Sequence, residues 1–326
     1  MNTIKFSILI PAYKGKFLKE AIESIVNQTY NNWELIIVDD CSPEDLKQIA
    51  NLYINEKIFY YRNEKNYGAV NVVDNWNKCL DYATGDYVIC MGDDDVLLPG
   101  CLREYAFLIE TYPQSKLFHV RTEQIDEEGN TIVVLEPREP YETTLSFIYY
   151  RWSGRRQYIG DFCYERKSLL NHGGFYKLPM AWASDDISAI LQSESGSGVV
   201  NSNKVLFKYR VNSHSITGSG DGMIKLQAIC LEKEWYKFFL HGCKPLENSL
   251  DLTYYNGLLN LYDVFFTKKM LAIISSDISN NLFRFFYWLF HSKQFDLCAK
   301  HIVYSLLSAI IDKAKRHHKG RVRSSV

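Results

Sequence analysis

The sequence predicts an α/β protein, with a mostly parallel sheet flanked by helices and a helical extension at its C-terminal end. Three observations predict it. Apolar runs of strand length alternate with segments of helical periodicity across residues 6–91, the pattern of successive strand–helix–strand units. Acidic residues follow several of those runs directly, at the carboxyl ends of the strands, where open α/β sheets bind their ligands. Beyond Gly222 the strand runs stop, and the chain becomes helical and aromatic up to a basic tail over residues 313–319.

The elements follow in order. Phe6-Ser7-Ile8-Leu9-Ile10-Pro11 is an apolar run stopped by proline, as in a buried parallel strand. Leu18, Ala21, Ile22, Ile25 and Val26 give residues 17–28 a helical face. Trp33 to Asp40 forms the second strand, and Ser42-Pro43-Glu44-Asp45 supplies a cap, a proline and acids for a helix start. Residues 57–61 are the third strand, 70–83 a helix closed by Gly85, and 86–91 the fourth strand, which runs into Asp93-Asp94-Asp95. From Lys116 the alternation weakens into short strands at 117–122 and 131–135, with another at 199–211. The expected division is residues 1–222 as one domain, with halves 1–115 and 116–222, and residues 223–326 as the helical region.

Composition excludes several classes. With 37 basic and 38 acidic residues the formal net charge is −1, which lacks the basic footprint of a nucleic-acid binder. Eight cysteines occur without a C-x-x-C pair or zinc-type spacing, which suits reduced thiols in a cytoplasmic protein. The N-terminal residues lack the basic and long apolar regions of a signal peptide. The late apolar run at 302–311 is about half of the ~20 residues needed to span a bilayer, so no spanning segment is expected.

Pro11-Ala12-Tyr13, Asp39-Asp40 and Asp93-Asp94-Asp95 all fall at strand ends. Three adjacent carboxylates repel one another, and a hard divalent cation relieves the repulsion. The plainer alternative is a cap for the helix after Pro99. Asp39-Asp40 reads equally as a capped turn or as an acceptor for a base N–H or ribose hydroxyls. Asp185-Asp186 reads as an N-terminal helix pair or as a general base. The segment from Lys208 to Thr217, with Arg210 and His214, offers cationic and imidazole groups for a diphosphate or a metal shell, while a lone histidine is more often structural.

Taken in order, these segments resemble glycosyltransferase family 2, whose members have the GT-A fold. The resemblance rests on Ser7-Ile8-Leu9-Ile10-Pro11-Ala12-Tyr13, then Glu34 through Ser42, Asn66-Tyr67-Gly68, Asn75-Trp76-Asn77, Ala83 through Tyr87, Asp93-Asp94-Asp95, and Gly173-Gly174-Phe175 followed by Asp185-Asp186. It implies that Asp40, with Asp39 behind it, holds the uracil or ribose of a UDP-like donor and that Asp93 touches the ribose or sugar. Asp94, with Asp95 and His214, would ligate Mn²⁺ or Mg²⁺. Asp186 would be the base, positioned by Asp185. Pro11, Ala12, Tyr13, Asn77 and Arg210 would line the donor site. Cys41 stands where many members have Gly, the acidic pair is Asp-Asp rather than Glu-Asp, and no Gln-x-x-Arg-Trp segment is present, which disfavours a processive synthase.

The resemblance implies inverting sugar transfer from a nucleotide-sugar donor to a hydroxyl of a glycan or lipid-linked acceptor in cell-surface polysaccharide synthesis. A sugar-1-phosphate nucleotidyltransferase would need a Gly-rich, basic loop after the first strand, of which Lys14-Gly15-Lys16 is only a trace. A catalytically silent nucleotide-sugar-binding scaffold is disfavoured by the intact acidic set. Residues 281–290 and the basic tail suit either contact with an anionic membrane surface or an ordinary packed helix.

Overall fold

The computed structural model describes residues 4–212, 221–245, 247 and 249–323, the side chains of residue 312 and of residues 314–323 excepted. The chain divides into two compact units. The first is residues 1–219 with 246–255, and the second is residues 220–245 with 256–326.

The first unit is built on one ten-stranded sheet. β1 (Phe6–Ala12), β2 (Trp33–Asp39), β3 (Ile58–Arg62) and β4 (Tyr87–Cys90) lie in the order β3-β2-β1-β4, all parallel. β1, β2 and β4 are buried almost throughout, which is why they read as unbroken apolar runs rather than alternating ones. Beyond β4 the sheet turns mixed. β9 (Phe162–Glu165) is antiparallel to both β4 and β6 (Leu117–Ile125), and β10 (Val199–Arg210) runs parallel to β6. β5 (Val96–Leu97), β7 (Thr131–Val134) and β8 (Tyr141–Glu142) add short antiparallel edges. β9 is only four residues long and carries no periodicity that the sequence could display.

Helices α1 (Leu18–Val26), α3 (Val72–Tyr82) and α4 (Cys101–Thr111) bury the apolar stripes that predict them. Helix α2 (Leu46–Ala50) starts later than expected. Its cap is Asp45, whose carboxylate accepts from Gln48 N at 3.1 Å, while Ser42 Oγ donates instead to the Tyr13 carbonyl at 2.6 Å. That bond ties the end of β1 to the end of β2. Helix α5 (Thr144–Trp152), absent from the sequence reading, is capped by Thr143. Helix α6 (Arg166–Asn171) and helix α7 (Ser184–Ser195) complete the unit, together with the first turns of α9 (Leu250–Asn280).

At the amino ends of the strands, Glu34 joins β1, β2 and the start of β4. It accepts from Ser7 Oγ (2.6 Å), Lys5 Nζ (2.6 Å) and Thr84 N (2.7 Å). Burial alone would raise its pKa, but these donors outweigh burial and hold it below the ordinary 4.5.

The second unit holds α8 (Gly222–Gly242), the rest of α9, α10 (Arg284–His291) and α11 (Ala299–Arg323). Trp288 is fully buried and donates its indole N–H to Asp277 at 2.7 Å. Lys269 pairs with the buried Glu232. Phe283, the cap of α10, and Phe286 and Phe290 within it are 81%, 66% and 84% exposed, so this segment presents aromatic rings at the surface. No described helix is long and apolar enough to cross a membrane.

Because the Glu34 pKa is depressed in the folded state, its stabilisation is complete above the unfolded value and is lost as pH falls through the folded one. The thermal midpoint of Glu34→Gln should therefore fall less steeply than that of the wild type between about pH 5 and about pH 3. Parallel midpoint–pH curves would refute the assignment.

Candidate active site

The end of β4 carries the acidic triplet against the loop after β1. β1 ends at Ala12, and the backbone N–H groups of Tyr13 and Lys14 both donate to Asp93 Oδ2 at 2.7 Å. A carboxylate after β4 thus fixes the loop after β1. Asp95 is 4% exposed and receives backbone N–H groups on both oxygens, from Arg210 (3.0 Å) and Gly92 (3.2 Å). Asp94 accepts from the Asn212 amide on Oδ2. None of the three caps α4, which begins at Cys101 behind Gly100, so the plainer reading of the triplet as a helix cap does not hold.

Crowding these carboxylates has an electrostatic cost. Burial pushes Asp93 up to about 6, the Asp94 charge adds to that, and the Tyr13 and Lys14 amides oppose it. Asp94 is raised by burial against the pull of Lys14, Arg210 and Asn212. Asp95 is raised well above its ordinary value by burial and by Asp94. The donor set suits a hard dication that takes one or two protein oxygens and completes its shell with phosphate and water. Among the described residues, no three His, Cys, Asp or Glu side chains form a ready-made metal cage. His214 lies outside the described residues.

Several expected contacts are differently employed. Asp39 is fully buried. Its Oδ1 accepts from Ser42 N (2.7 Å), and its Oδ2 meets Tyr60 and Arg62, so it is the capped turn that one reading foresaw. Asp40 accepts from Asn63 Nδ2 (3.0 Å) and from the amides of Tyr67 (3.0 Å) and Gly68 (3.3 Å), closing the loop after β3. Asn77 is a correction. Its side chain is exchanged with the backbone of Phe175, accepting at 2.7 Å and donating at 3.0 Å, so its amide is employed in anchoring the Gly173–Phe175 loop.

Arg210 is a second correction. It is 2% exposed, stacks on Phe17 at 4.2 Å, and donates to the Asp94 carbonyl (2.8 Å), the Asp126 and Glu127 carbonyls (3.2 Å each) and Glu20 (2.6 Å). Its donors are spent on clamping the end of β10 to the acidic loop, and so deeply buried a guanidinium offers no open face to a diphosphate. Pro11 is partly exposed, Ala12 is buried, and Tyr13 projects at 41% exposure beside the Asp93-bound amides.

On the other half, Asp186 is buried at the start of α7. Arg151 Nε reaches both of its oxygens, at 2.8 and 3.1 Å, and Gln157 donates to Oδ1 at 2.8 Å. Asp185 is half-buried. The two acidic clusters meet electrostatically at Tyr209, which stacks on Tyr158 with centroids 3.7 Å apart. Burial, then the charges of Asp95, Asp94 and Asp185 among others, push the Tyr209 hydroxyl upward. The sequence reading missed Arg151, Gln157, Tyr158 and Tyr209 as site residues. Lys14 was legible, since it follows Tyr13 in the loop after β1.

A parallel nucleotide-binding-type half, a mixed second half and carboxylates at the strand ends define a class of α/β transferases. Comparison supplies the family. The model of Glycosyl transferase family 2 matches residues 7–175, and the chain belongs to that family. Among its relatives are EpsE of Bacillus subtilis, 34% identical over 112 residues, covering 33% of this chain and 39% of the relative. WcaA of Escherichia coli, named for colanic acid biosynthesis, is 38% identical over 104 residues, 31% of this chain and 36% of the relative. The GalNAc(5)-diNAcBac-PP-undecaprenol beta-1,3-glucosyltransferase of Campylobacter jejuni is 38% identical over 101 residues, 30% of this chain and 32% of the relative. The matches thus span between 32% and 39% of the length of these relatives.

The fold is shared with S. aureus TarS 1–349 in complex with UDP-GlcNAc, at TM-score 0.63 and 16% identity, over 97% of this chain and 92% of that one. It is shared also with the mannosyltransferase PcManGT of Pyrobaculum calidifontis in complex with GDP-Man and Mn²⁺, at TM-score 0.57 and 14% identity, over 96% and 88%. This likeness shows the GT-A arrangement.

Arg210→Ala would remove the guanidinium donor from the carbonyls of Asp94, Asp126 and Glu127 and leave Glu20 without its partner. It should cost about 3 kcal/mol of stability, whereas Tyr13→Phe should leave stability within about 0.5 kcal/mol of wild type. Denaturant titration of both variants checks this, and equal stability for the two would contradict the clamp.

Proposed function

We propose that the protein transfers a sugar, with inversion, from a nucleotide-sugar donor, UDP-linked, to a hydroxyl of a glycan or lipid-linked acceptor in cell-surface polysaccharide synthesis. The observation that carries the reading is the acidic triplet at the end of β4, braced against the loop after β1. That corner has the chemistry to take a diphosphate through a dication. The names of WcaA and the Campylobacter enzyme, and the donors in the TarS and PcManGT structures, support the same class of reaction.

The cation would be Mn²⁺ or Mg²⁺, held by Asp94 with Asp95 behind it, and when bound it would offset charge on the leaving diphosphate. His214 is proposed to join that shell. Asp93 takes up the Tyr13 and Lys14 amides and so fixes the loop that would line the donor, and Lys14 adds a positive charge beside Asp93 and Asp94. Asp39 and Asp40 act through the loops they hold, setting the floor against which the nucleoside rests.

Asp186 is proposed as the base. Its pairing with Arg151 fixes its direction, and a carboxylate so held can take the acceptor hydroxyl proton as the hydroxyl attacks the anomeric carbon. The proton passes to Asp186 while the anomeric carbon–phosphate oxygen bond breaks and the nucleoside diphosphate leaves. Asp185 positions the acceptor beside Tyr209.

The exposed rings of Phe283, Phe286 and Phe290, with the basic stretch at 313–319 following in sequence, favour a peripheral seat on the cytoplasmic face of an anionic membrane. That location would suit a lipid-linked acceptor.

Nucleotide release from UDP-sugars in the presence of Mn²⁺ should fall at least about 100-fold in Asp94→Asn and on chelation, a loss typical of removing a main electrostatic element. Asp186→Asn should abolish transfer while donor affinity stays within about twofold of wild type. Transfer lost in Asp185→Asn and kept in Asp186→Asn would assign the base to Asp185 instead. On vesicles containing anionic lipid, Phe283→Glu with Phe290→Glu should remove co-sedimentation, and undiminished binding would end the membrane assignment.

A further inference from the structure

A cavity lies in the first unit, and none of the acidic triplet lines it. It measures about 430 Å³, within the roughly 300–1,000 Å³ range of small-molecule sites. Its walls come from β8, α5 and the first turn of α9, and they combine aromatic rings with oxygen acceptors. Tyr150 and Tyr254 face each other with centroids 5.9 Å apart and hydroxyls at 3.3 Å. Tyr141 lines the same space and is 46% exposed.

The rings are held in place. The Arg155 guanidinium sits 5.3 Å from the Tyr150 ring and is ion-paired with the buried Glu142, which also accepts from Asn201 at 3.0 Å. Asp251 accepts from Thr143, the cap of α5, so the start of α9 is pinned to the start of α5. The Tyr254 hydroxyl is pushed up to about 12 by its bond to Tyr150, then by burial and the nearby carboxylates, so it stays protonated and able to donate.

The charges select the ligand. Glu142 is matched by Arg155, but Glu139 and Asp251 also line the cavity, and no lysine or arginine is among its described lining residues, so its wall is net negative. A phosphate, sulfate or uronate would be repelled. A sugar ring with uncharged substituents instead offers C–H faces to tyrosine rings and hydroxyl donors to carboxylates.

We propose that this cavity, formed by Tyr141, Tyr150 and Tyr254 with Glu139 and Asp251, is a binding subsite for uncharged sugar residues of the acceptor glycan, remote from the point of transfer. It connects to the reaction through α5, where Tyr150 in the cavity is followed by Arg151 on Asp186. An acceptor chain gripped here is held by residues that take no part in bond making. The term acceptor rests on the glycosyltransferase reading; the binding of uncharged sugars does not.

The test uses the full chain, with maltotetraose and tetra-N-acetylchitotetraose as neutral probes and tetragalacturonate as an anionic one, followed by calorimetry or saturation-transfer NMR. At least one neutral tetrasaccharide should bind wild type and Tyr254→Phe, and bind about tenfold more weakly to Tyr254→Ala, a loss equivalent to ~1.4 kcal/mol. Glu139→Ala, at an exposed position, should weaken the same probe even if Tyr254→Ala folds poorly, and tetragalacturonate should not bind. No binding of either neutral probe, binding unaffected by both alanine variants, or equal binding of tetragalacturonate would overturn the subsite. Nucleotide release from UDP-sugar, measured on the same samples, reports the donor corner separately. Its absence with sugar binding intact would defeat the transfer reading alone.

Discussion

Holding Asp93, Asp94 and Asp95 together at the end of β4 is the constraint on which the rest of the first unit depends. Burial raises all three carboxylates, and the charge of Asp94 raises Asp93 and Asp95 further, so the fold must supply donors to keep them in place. It does so from two directions. The amides of Tyr13 and Lys14 come from the loop after β1, and the amide of Arg210 comes from the end of β10. The parallel half and the mixed half of the sheet are therefore joined through a charge cluster as well as through strand pairing.

Arg210 shows how a cation near an anionic site can serve the site without facing its ligand. Its guanidinium is spent on three carbonyls and on Glu20 and covered by Phe17, which fixes the loop carrying Asp94 and Asp95. Asn77 does the same for the glycine loop at 173–174. Gly174 has φ +89°, and a Cβ there would lie 2.3 Å from the Asn77 side-chain oxygen, so loop and amide require each other. Preorganisation of this kind removes the need to reorder donors during reaction, which is where electrostatic catalysis gains its effect.

The acceptor half follows a different logic. Arg151 and Gln157 direct the Asp186 carboxylate, and α5 carries Arg151 beside the tyrosine-lined cavity. One helix thus couples the proposed base to the surface proposed to hold a distant part of the acceptor. Family membership extends over residues 7–175 and so takes in α5 but stops short of Asp185, which leaves the reading of the acidic pair to geometry.

What the sequence determined by itself was local: the strands buried on both faces, the amphipathic helices between them, and the acids that end β2 and β4. A strand covered on both sides must be apolar along its length, and a carboxylate directly after it is carried to the strand end by chain continuity alone. Tertiary structure decided which polar groups face a ligand and which face the protein. Asp186 meets Arg151 across 35 residues, Asn77 meets Phe175 across 98, and Arg210 meets Glu20 across 190. A side chain's hydrogen-bonding capacity is used up by whichever partners packing brings within about 3 Å, and no local pattern of residues encodes partners that far along the chain.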